Sequence, residues 1–183
     1  ELAALAQVNE NHKVLDLGCG IGGPARHLAG EYGCTVVGLD LVSSYCEAAV
    51  ELTRRVGLDH LVSFQQGNMM EMPFDDDSFD YVWSQHTWMN IPDKAALARE
   101  IRRVLRPRGK AVIYEVCQGN GADIKFPVPW ASIPEHSFLC SETELRKCFS
   151  DAGFLEISWE NVTDSCLNWI EELTVAMKNK VKV

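Results

Sequence analysis

Three glycines follow a short apolar run in the segment "LDLGCGIGG", which covers residues 15–23. They occupy Gly18, Gly20 and Gly23, the spacing of a loop whose backbone can closely approach the pyrophosphate of a dinucleotide. A further carboxylate, Asp40, comes about 20 residues later, at the end of the next apolar run, where it can accept from ribose hydroxyls. The spacing predicts a ligand that contains a ribose, and it does not distinguish one such ligand from another.

Asp16, within the first apolar run, distinguishes between the possible ligands. An ionised side chain inside a buried strand is costly unless it is paired or hydrogen-bonded. Beside a pyrophosphate it would also repel the ligand, whereas beside a cation it would attract it. S-adenosylmethionine (SAM) fits, because it carries a ribose, an α-ammonium and a sulfonium but no phosphate. The alternative is that Asp16 only braces the loop by accepting hydrogen bonds from its amides, and this is compatible with the same ligand.

The composition is typical of an ordinary globular protein, since the 183 residues are 46% hydrophobic and 23% charged. The formal net charge of -9 argues against a nucleic-acid partner, because proteins that bind nucleic acids present a basic surface. No apolar run approaches the roughly 18 residues of a membrane span. The seven cysteines contain no C-x-x-C pair, which predicts reduced thiols in a cytoplasmic protein and no metal site.

Strand patterns alternate with helix patterns along the chain. The predicted strands are KVLDLG (13–18), CTVVGLD (34–40), LVSFQQGN (61–68), SFDYVWSQ (78–85), KAVIYEV (110–116) and FLEISWENVT (154–163). The predicted helices cover 22–33, 44–57, 93–106, 141–153 and 165–180. Two of them contain capping boxes, Ser44-x-x-Glu47 and Ser141-x-x-Glu144. The alternation predicts one α/β domain over 1–183, with a mostly parallel sheet that is covered by helices on both faces.

Four segments resemble the successive motifs of class I SAM-dependent methyltransferases: "VLDLGCGIGGPARHLA", "VVGLD", "GNMMEMPFDDDSFDYVWSQHTWMNIPDK" and "REIRRVLRPRGKAVIYE". The resemblance extends over residues 13 to 160 and is closest in character to the small-molecule branch, which includes sarcosine/dimethylglycine, sterol and tocopherol methyltransferases. It implies a Rossmann-like sheet of seven strands, the last of them antiparallel. No seventh strand is recognisable before Val183 and the N-terminal helices are short, so we expect a chain that is trimmed at both ends.

The resemblance also implies a set of cofactor-binding residues, which follow the first four strands. They serve the methionine end of SAM, the ribose, the adenine and the region of the methyl group. In chain order they are Asp16, Gly18, Cys19, Gly20, Gly22, Asp40, Leu41, Asn68, Met69, Ser84 and Gln85. Many family members have an aspartate where this chain has Asn68, but an amide oxygen still accepts from the amino group of adenine.

Methyl transfer asks little of the protein beyond aligning donor and acceptor, excluding water and, for some acceptors, removing a proton. His86 follows the fourth strand, where the acceptor should lie, and the pKa of a histidine suits a general base near neutral pH. The alternative is that His86 only shapes its loop.

Residues 117–138 lack periodicity and are rich in glycine and proline, which predicts a lid-like insert. The candidate acceptor-binding residues are His86, Trp88, Trp130 and His136.

The sequence therefore predicts an enzyme, a SAM-dependent methyltransferase that acts on a small molecule in the cytoplasm. One alternative is a partner protein that binds SAM without turnover. The other is a nicotinamide-dependent dehydrogenase, which the glycine spacing allows. Asp16 and the absence of a second, substrate-binding domain argue against the dehydrogenase.

Overall fold

Five parallel strands form one sheet in the computed structural model, which describes residues 2–119, 121 and 123–180. The strands are β1 (Lys13–Leu17), β2 (Thr35–Asp40), β3 (Val62–Gln66), β4 (Phe79–Gln85) and β5 (Leu105–Tyr114), in the order β3-β2-β1-β4-β5. The helices are α1 (Leu2–Ala6), α2 (Gly23–Tyr32), α3 (Ser43–Arg55), α4 (Lys94–Val104), α5 (Glu142–Asp151) and α6 (Thr163–Lys180). Among the described residues, no helix combines the length and apolar character needed to cross a membrane.

Each face of the sheet is covered by helices, as the sequence predicts. Successive side chains of a strand point to opposite faces, so each central strand contributes to two cores. Leu15 and Leu17 of β1 pack in one core with residues of α4 and α5, such as Leu97 and Leu145. Val14 packs in the other core with residues of α1 and α2. Because β1 is central and buried on both sides, its carboxyl end is a rigid support for the glycine loop that follows.

The prediction of a sixth strand at 154–163 is wrong, because the structure has no strand in this segment of the described chain. The segment retains an apolar alternation, but Leu155 is 90% exposed and Ile157 is 79% exposed. An alternating pattern forms a strand only where a neighbouring strand pairs with its backbone and a core covers its apolar face. Among the described residues no strand pairs with this segment, and Leu155 and Ile157 are left uncovered, although Trp159 packs against the core on the α4 side. In the described part of the sheet, β5 pairs only with β4.

The two predicted capping boxes have different outcomes. The one at α5 is confirmed: the Ser141 hydroxyl accepts from the Glu144 amide, and the Glu144 carboxylate accepts from the Ser141 amide. The one at α3 is wrong, because this helix begins at Ser43 with Val42 as its N-cap. The Val42 amide donates instead to Asp40 Oδ1 at 3.0 Å, so a carboxylate at the end of β2 takes part in the start of α3.

We expect Ser141→Ala to lower the free energy of unfolding by about 1 kcal/mol, because an N-cap side chain satisfies an amide that the helix leaves unpaired. Ser44→Ala is the matched control, since this serine lies inside α3 and serves as no cap. It should change the stability by less than about 0.5 kcal/mol. Urea unfolding of the two variants beside the wild type makes the comparison. Equal losses in both variants would contradict the assignment of the caps.

The predicted insert, residues 117–138, lies against the turn that follows β4. Its Asn120 and Ala122 are outside the described residues. Asn90, in the short 3-10 helix Trp88–Asn90, donates from Nδ2 to the carbonyl oxygen of Trp130 at 2.9 Å. The Phe138 amide donates to the carbonyl oxygen of Met89 at 2.7 Å. The insert is therefore fastened to the turn where the sequence places the acceptor, and its role as a lid stays a prediction.

Candidate active site

The glycine loop between β1 and α2 has a left-handed backbone at three of its glycines. Gly18, Gly20 and Gly22 have φ values of +67°, +53° and +79°. The Gly18 amide donates to the carbonyl oxygen of Leu39 in β2 at 2.8 Å. A Cβ atom at Gly18 would lie 2.5 Å from Thr87 Oγ1, so the loop also fits closely against the turn after β4. Glycine is required at this position both by the backbone conformation and by the lack of space.

Asp40 holds the glycine loop in place from the end of β2. Its Oδ2 accepts from the Gly20 amide at 2.8 Å and its Oδ1 from the Val42 amide at 3.0 Å. Asp40 therefore braces the loop in the way that the sequence left open for Asp16, whose own carboxylate faces the Ala25 amide at the start of α2. Each carboxylate oxygen has a second lone pair, so both oxygens can also accept from the hydroxyls of a ribose.

Asp16 is the most unusual ionisable group of the site. Its side chain is only 1% exposed, and Oδ2 has no hydrogen-bond partner among the residues that the structure describes. Burial raises the pKa of Asp16 from 3.8 to about 7, the backbone N–H of Ala25 in α2 opposes this shift, and the charge of Asp40 adds to it. A buried carboxylate with an unused oxygen beside a glycine loop is suited to a cationic ligand.

The predicted adenine-binding residues lie beyond β2 and β3. Leu41 is 66% exposed, which leaves its side chain free to cover a flat ligand. Asn68 Oδ1 accepts from the Met70 amide at 2.9 Å, so the oxygen predicted to bind adenine also closes a local turn. Met69 packs in part against the core on the α4 side. Cys19 is buried, and burial raises the pKa of its thiol.

Ser84 and Gln85 end β4 next to β1. Ser84 pairs in register with Leu17 and is 1% exposed. Its Oγ has no partner in the described part of the chain. The structure therefore brings Asp16, Asp40 and Ser84 to the same, carboxyl-terminal edge of the sheet, which is where open α/β sheets bind their ligands.

The four predicted acceptor residues differ in their accessibility. His86 is exposed on the turn after β4, with its ring centroid 4.9 Å from that of Tyr114. Trp130 is half-buried and lines a cavity of about 500 Å³ within the insert. His136 is exposed on the 3-10 helix Pro134–His136. Trp88 is 1% exposed and stacks at 5.0 Å against Phe149, so it lies in the core below the turn.

Neighbouring protein atoms partly desolvate the ring of His86 and lower its pKa. The neutral imidazole is therefore its main form at neutral pH, which is the form that accepts a proton. Its backbone is left-handed, with φ 53°, and its amide donates to the carbonyl oxygen of Tyr114 at 2.9 Å. This geometry is consistent with both roles that the sequence left open, proton acceptor and shaper of the turn.

Sequence reasoning missed two charged residues around the same turn. Glu115, directly after β5, accepts from the Thr87 amide through Oε1. Lys94, at the start of α4, is buried and donates to the carbonyl oxygens of Ile91, at 2.8 Å, and Phe138. The position of Glu115 offered a signal, because it follows an apolar strand as Asp40 does. No pattern in the sequence indicated that Lys94 would be buried.

Comparison with known proteins decides the family. The model of the methyltransferase domain family matches residues 15–113, which is more than half of the chain. The chain belongs to this methyltransferase family. The matched segment runs from the first apolar strand to the end of the fifth, so it contains every predicted cofactor-binding residue.

Several relatives of this chain are named as methyltransferases of small molecules. A sterol 24-C-methyltransferase from Aspergillus fumigatus is 41% identical over 97% of this chain and 49% of its own. A glycine/sarcosine/dimethylglycine N-methyltransferase from Actinopolyspora halophila is 35% identical over 89% of this chain and 29% of its own. The solved structure of phosphoethanolamine N-methyltransferase 2 from Haemonchus contortus with SAM has a TM-score of 0.84 at 28% identity, covering 99% of this chain and 42% of that one. The chain thus spans less than half the length of each of these three relatives.

The fold is the Rossmann-like fold of class I methyltransferases, and SAM is the cofactor of the family. The residues of this methyltransferase fit that cofactor. The unpartnered oxygen of Asp16 suits an ammonium group. Apart from its two chain neighbours, no described residue has an atom within 4 Å of the position that a Cβ at Gly20 would take, so the loop is open toward a ligand. Because the chain belongs to a methyltransferase family, the dehydrogenase alternative is no longer supported.

Proposed function

We propose that this chain is the cofactor-binding domain of a cytoplasmic enzyme that transfers a methyl group from SAM to a small-molecule acceptor. The observation that carries the proposal is the buried, unpartnered Oδ2 of Asp16 beside an open glycine loop. The odd number of cysteines, seven, without a C-x-x-C pair favours reduced thiols and hence a reducing compartment. The net charge of -9 favours a small-molecule substrate over a nucleic acid.

In the proposed cofactor site, the residues after each of the first four strands bind a different part of SAM. Asp16 accepts from the α-ammonium, and the amide of Gly23 at the start of α2 binds the carboxylate, since Pro24 has no N–H and the N–H of Ala25 faces Asp16. Asp40 accepts from the ribose hydroxyls while it continues to hold the Gly20 amide. Leu41 and Met69 contact the adenine ring, and Asn68 accepts from its amino group. Ser84 and Gln85 border the methyl group from the end of β4.

The sulfonium of bound SAM supplies an activated methyl group with a good leaving group, so the protein contributes mainly alignment and the exclusion of water. In the proposed site His86 contacts the acceptor and, where the acceptor atom carries a proton, takes that proton on its neutral ring. Trp130 and the insert shield the acceptor from water. The names of the relatives include amine and sterol methyltransferases, so acceptors of both kinds belong in the test.

Thermal unfolding with added ligand tests the cofactor assignment. SAM and S-adenosylhomocysteine should raise the melting temperature, because a ligand at 100 times its dissociation constant stabilises the folded state by about 2.7 kcal/mol. NAD is the control and should leave the melting temperature unchanged. Incubation with labelled SAM and a panel of amines, phenols and sterols then tests transfer. A shift with NAD and none with SAM would contradict the proposal, as would SAM binding without transfer to any acceptor in the panel.

The raised pKa of Asp16 gives the binding of SAM a pH dependence. Only the ionised carboxylate attracts the ammonium, and a pKa of about 7 leaves Asp16 mostly protonated at pH 6. The affinity for SAM should therefore fall about eightfold between pH 7.5 and pH 6. In the ligand-free protein the sign is opposite: Asp16 favours folding below its ordinary pKa of 3.8, and this contribution is lost as the pH rises through about 7.

Calorimetry of SAM binding at the two pH values makes the measurement, and Asp16→Asn is the control. This variant keeps the size of the side chain and removes the titrating group, so its affinity should be weaker and independent of pH across the same range. The same pH dependence in the wild type and the variant would remove Asp16 from the ammonium site.

A further inference from the structure

Glu115 lies where the end of β5 meets the turn after β4. Its side chain is half-buried, and Oε1 accepts from the backbone amide of Thr87. Its second oxygen, Oε2, is buried and has no partner within the described residues. Burial raises the pKa of Glu115, while the amides of Thr87 and Trp88 and the charge of Lys94 act in the opposite direction. The carboxylate is thus directed at the backbone of the turn, and it is shielded from water there.

The turn depends on outside contacts for its shape. His86 has φ 53°, a left-handed conformation that costs free energy for a residue with a Cβ atom. Two consecutive amides of the turn donate to the end of β5: that of His86 to the carbonyl oxygen of Tyr114, and that of Thr87 to Glu115. The first of these contacts is a continuation of the sheet, whereas the second is made by a side chain. Of the two contacts, only the one made by Glu115 can therefore be removed by a side-chain substitution.

Thr87 connects this support to the cofactor loop. The Thr87 side chain occupies the space beside Gly18, where an added Cβ would lie 2.5 Å from Oγ1 and 2.6 Å from Cγ2. Thr87 Oγ1 lies 3.1 Å from the carbonyl oxygen of Gln85 and 3.4 Å from that of Leu17, and it can donate its single proton to either of them. A movement of the Thr87 backbone away from Glu115 would change the distance between the turn that carries His86 and the loop that follows β1.

We propose that Glu115 is a positioning residue for methyl transfer, which holds the His86–Thr87 turn against the Gly18 loop at the distance that the reaction needs. This rests on the proposed function, since it assumes that the acceptor lies at His86 and SAM at the glycine loop. Small displacements of aligned groups are costly in such reactions, because a misplacement of about 1 Å can lower the rate about a hundredfold. Glu115 acts only through the turn and touches neither reactant.

Three variants of Glu115 test the proposal. Glu115→Ala removes the acceptor of the Thr87 amide, and kcat at saturating SAM and acceptor should fall by about ten- to a hundredfold. Glu115→Gln keeps a carbonyl oxygen at the same distance, so it should retain most of the wild-type kcat. Glu115→Asp shortens the side chain by one methylene and should give an intermediate loss, which keeps the series informative if the alanine variant fails to fold.

The matched control is Asp80→Ala. Asp80 Oδ2 also accepts a backbone amide of a neighbouring strand, that of Lys13 at 2.8 Å, but at the opposite end of the sheet. This variant should lose stability without losing kcat. Hydrogen exchange of the Thr87 amide is a second readout that does not depend on activity: exchange should accelerate in Glu115→Ala and return to near the wild-type rate in Glu115→Gln.

A folded Glu115→Ala variant with wild-type kcat would overturn the proposal, and so would a glutamine variant as impaired as the alanine variant. Unchanged exchange at Thr87 in Glu115→Ala would overturn it independently of any acceptor. If the wild type binds SAM but methylates nothing, the proposed function fails on that result alone. The exchange experiment then shows separately whether Glu115 holds the turn, and without transfer its proposed role in the reaction is overturned as well.

Discussion

His86→Gln should leave the affinity for SAM unchanged and lower turnover by about 10²- to 10⁴-fold with an acceptor that loses a proton, such as a secondary amine. Glutamine keeps the approximate size and hydrogen-bonding capacity of the histidine but cannot take a proton. Because desolvation lowers the pKa of His86, the ring is neutral at physiological pH. The wild-type rate should therefore fall only as the pH drops below the ordinary histidine range, and the variant should lack this decrease.

His60→Gln is the control for the histidine experiment. His60 is exposed in the turn before β3, at the edge of the sheet opposite the glycine loop, so its replacement should change neither the rate nor the pH profile. Steady-state rates across pH 5 to 8 with both variants make the comparison. If His86→Gln retains the wild-type rate and pH profile, His86 only shapes its turn, and proton removal belongs to another group or to water.

Asp40→Ala should weaken the binding of SAM by about ten- to a hundredfold, because charge-assisted hydrogen bonds contribute about 1.5–3 kcal/mol. The structure indicates two causes for this loss of affinity. The ribose hydroxyls lose their acceptor, and the Gly20 and Val42 amides are released, which loosens the loop itself. Asp40→Asn retains one carbonyl oxygen but no charge, so it should lie between the wild type and the alanine variant.

Asp93→Ala is a matched control for the loss of stability. Asp93 is the N-cap of α4 and accepts from the Ala96 amide at 2.8 Å, so its removal destabilises the fold without touching the proposed cofactor site. Calorimetry of SAM binding, together with urea unfolding of each variant, separates affinity from stability. An unchanged affinity in a folded Asp40→Ala variant would remove Asp40 from the site.

Most of the architecture could be predicted from hydrophobic patterns and glycine positions. Five of six predicted strands form, and the predicted helices form with shifts at their ends. The failures arise where a distant residue decides a local structure. Ser44 looks like an N-cap in sequence, but α3 begins one residue earlier and the Val42 amide is held by Asp40. The segment around Leu155 has the pattern of a strand but no neighbour among the described residues with which to pair.

The candidate site shows the same division. The glycine loop, Asp16 and Asp40 were predicted, because their chemistry is tied to fixed spacings after apolar strands. The burial of Trp88 was not predicted, because the pattern of a short turn does not show which aromatic ring the core will take. Glu115 was missed for a related reason. Its partner is a backbone amide 28 residues away, and because every residue except proline has such an amide, the sequence does not indicate which one is bound.

The close contact between Gly18 and Thr87 has a consequence for any attempt to alter acceptor preference by mutagenesis. Position 87 lies in the turn beside the proposed acceptor site and is an obvious target, but its side chain faces the backbone of the glycine loop. A larger residue at position 87 would push against Gly18 and weaken the binding of both SAM and the acceptor. No substitution at Gly18 can make room for it, because glycine has no side chain to shorten. Libraries are better directed at the insert, around Phe126 and Trp130, where the cavity of about 500 Å³ leaves space for variation.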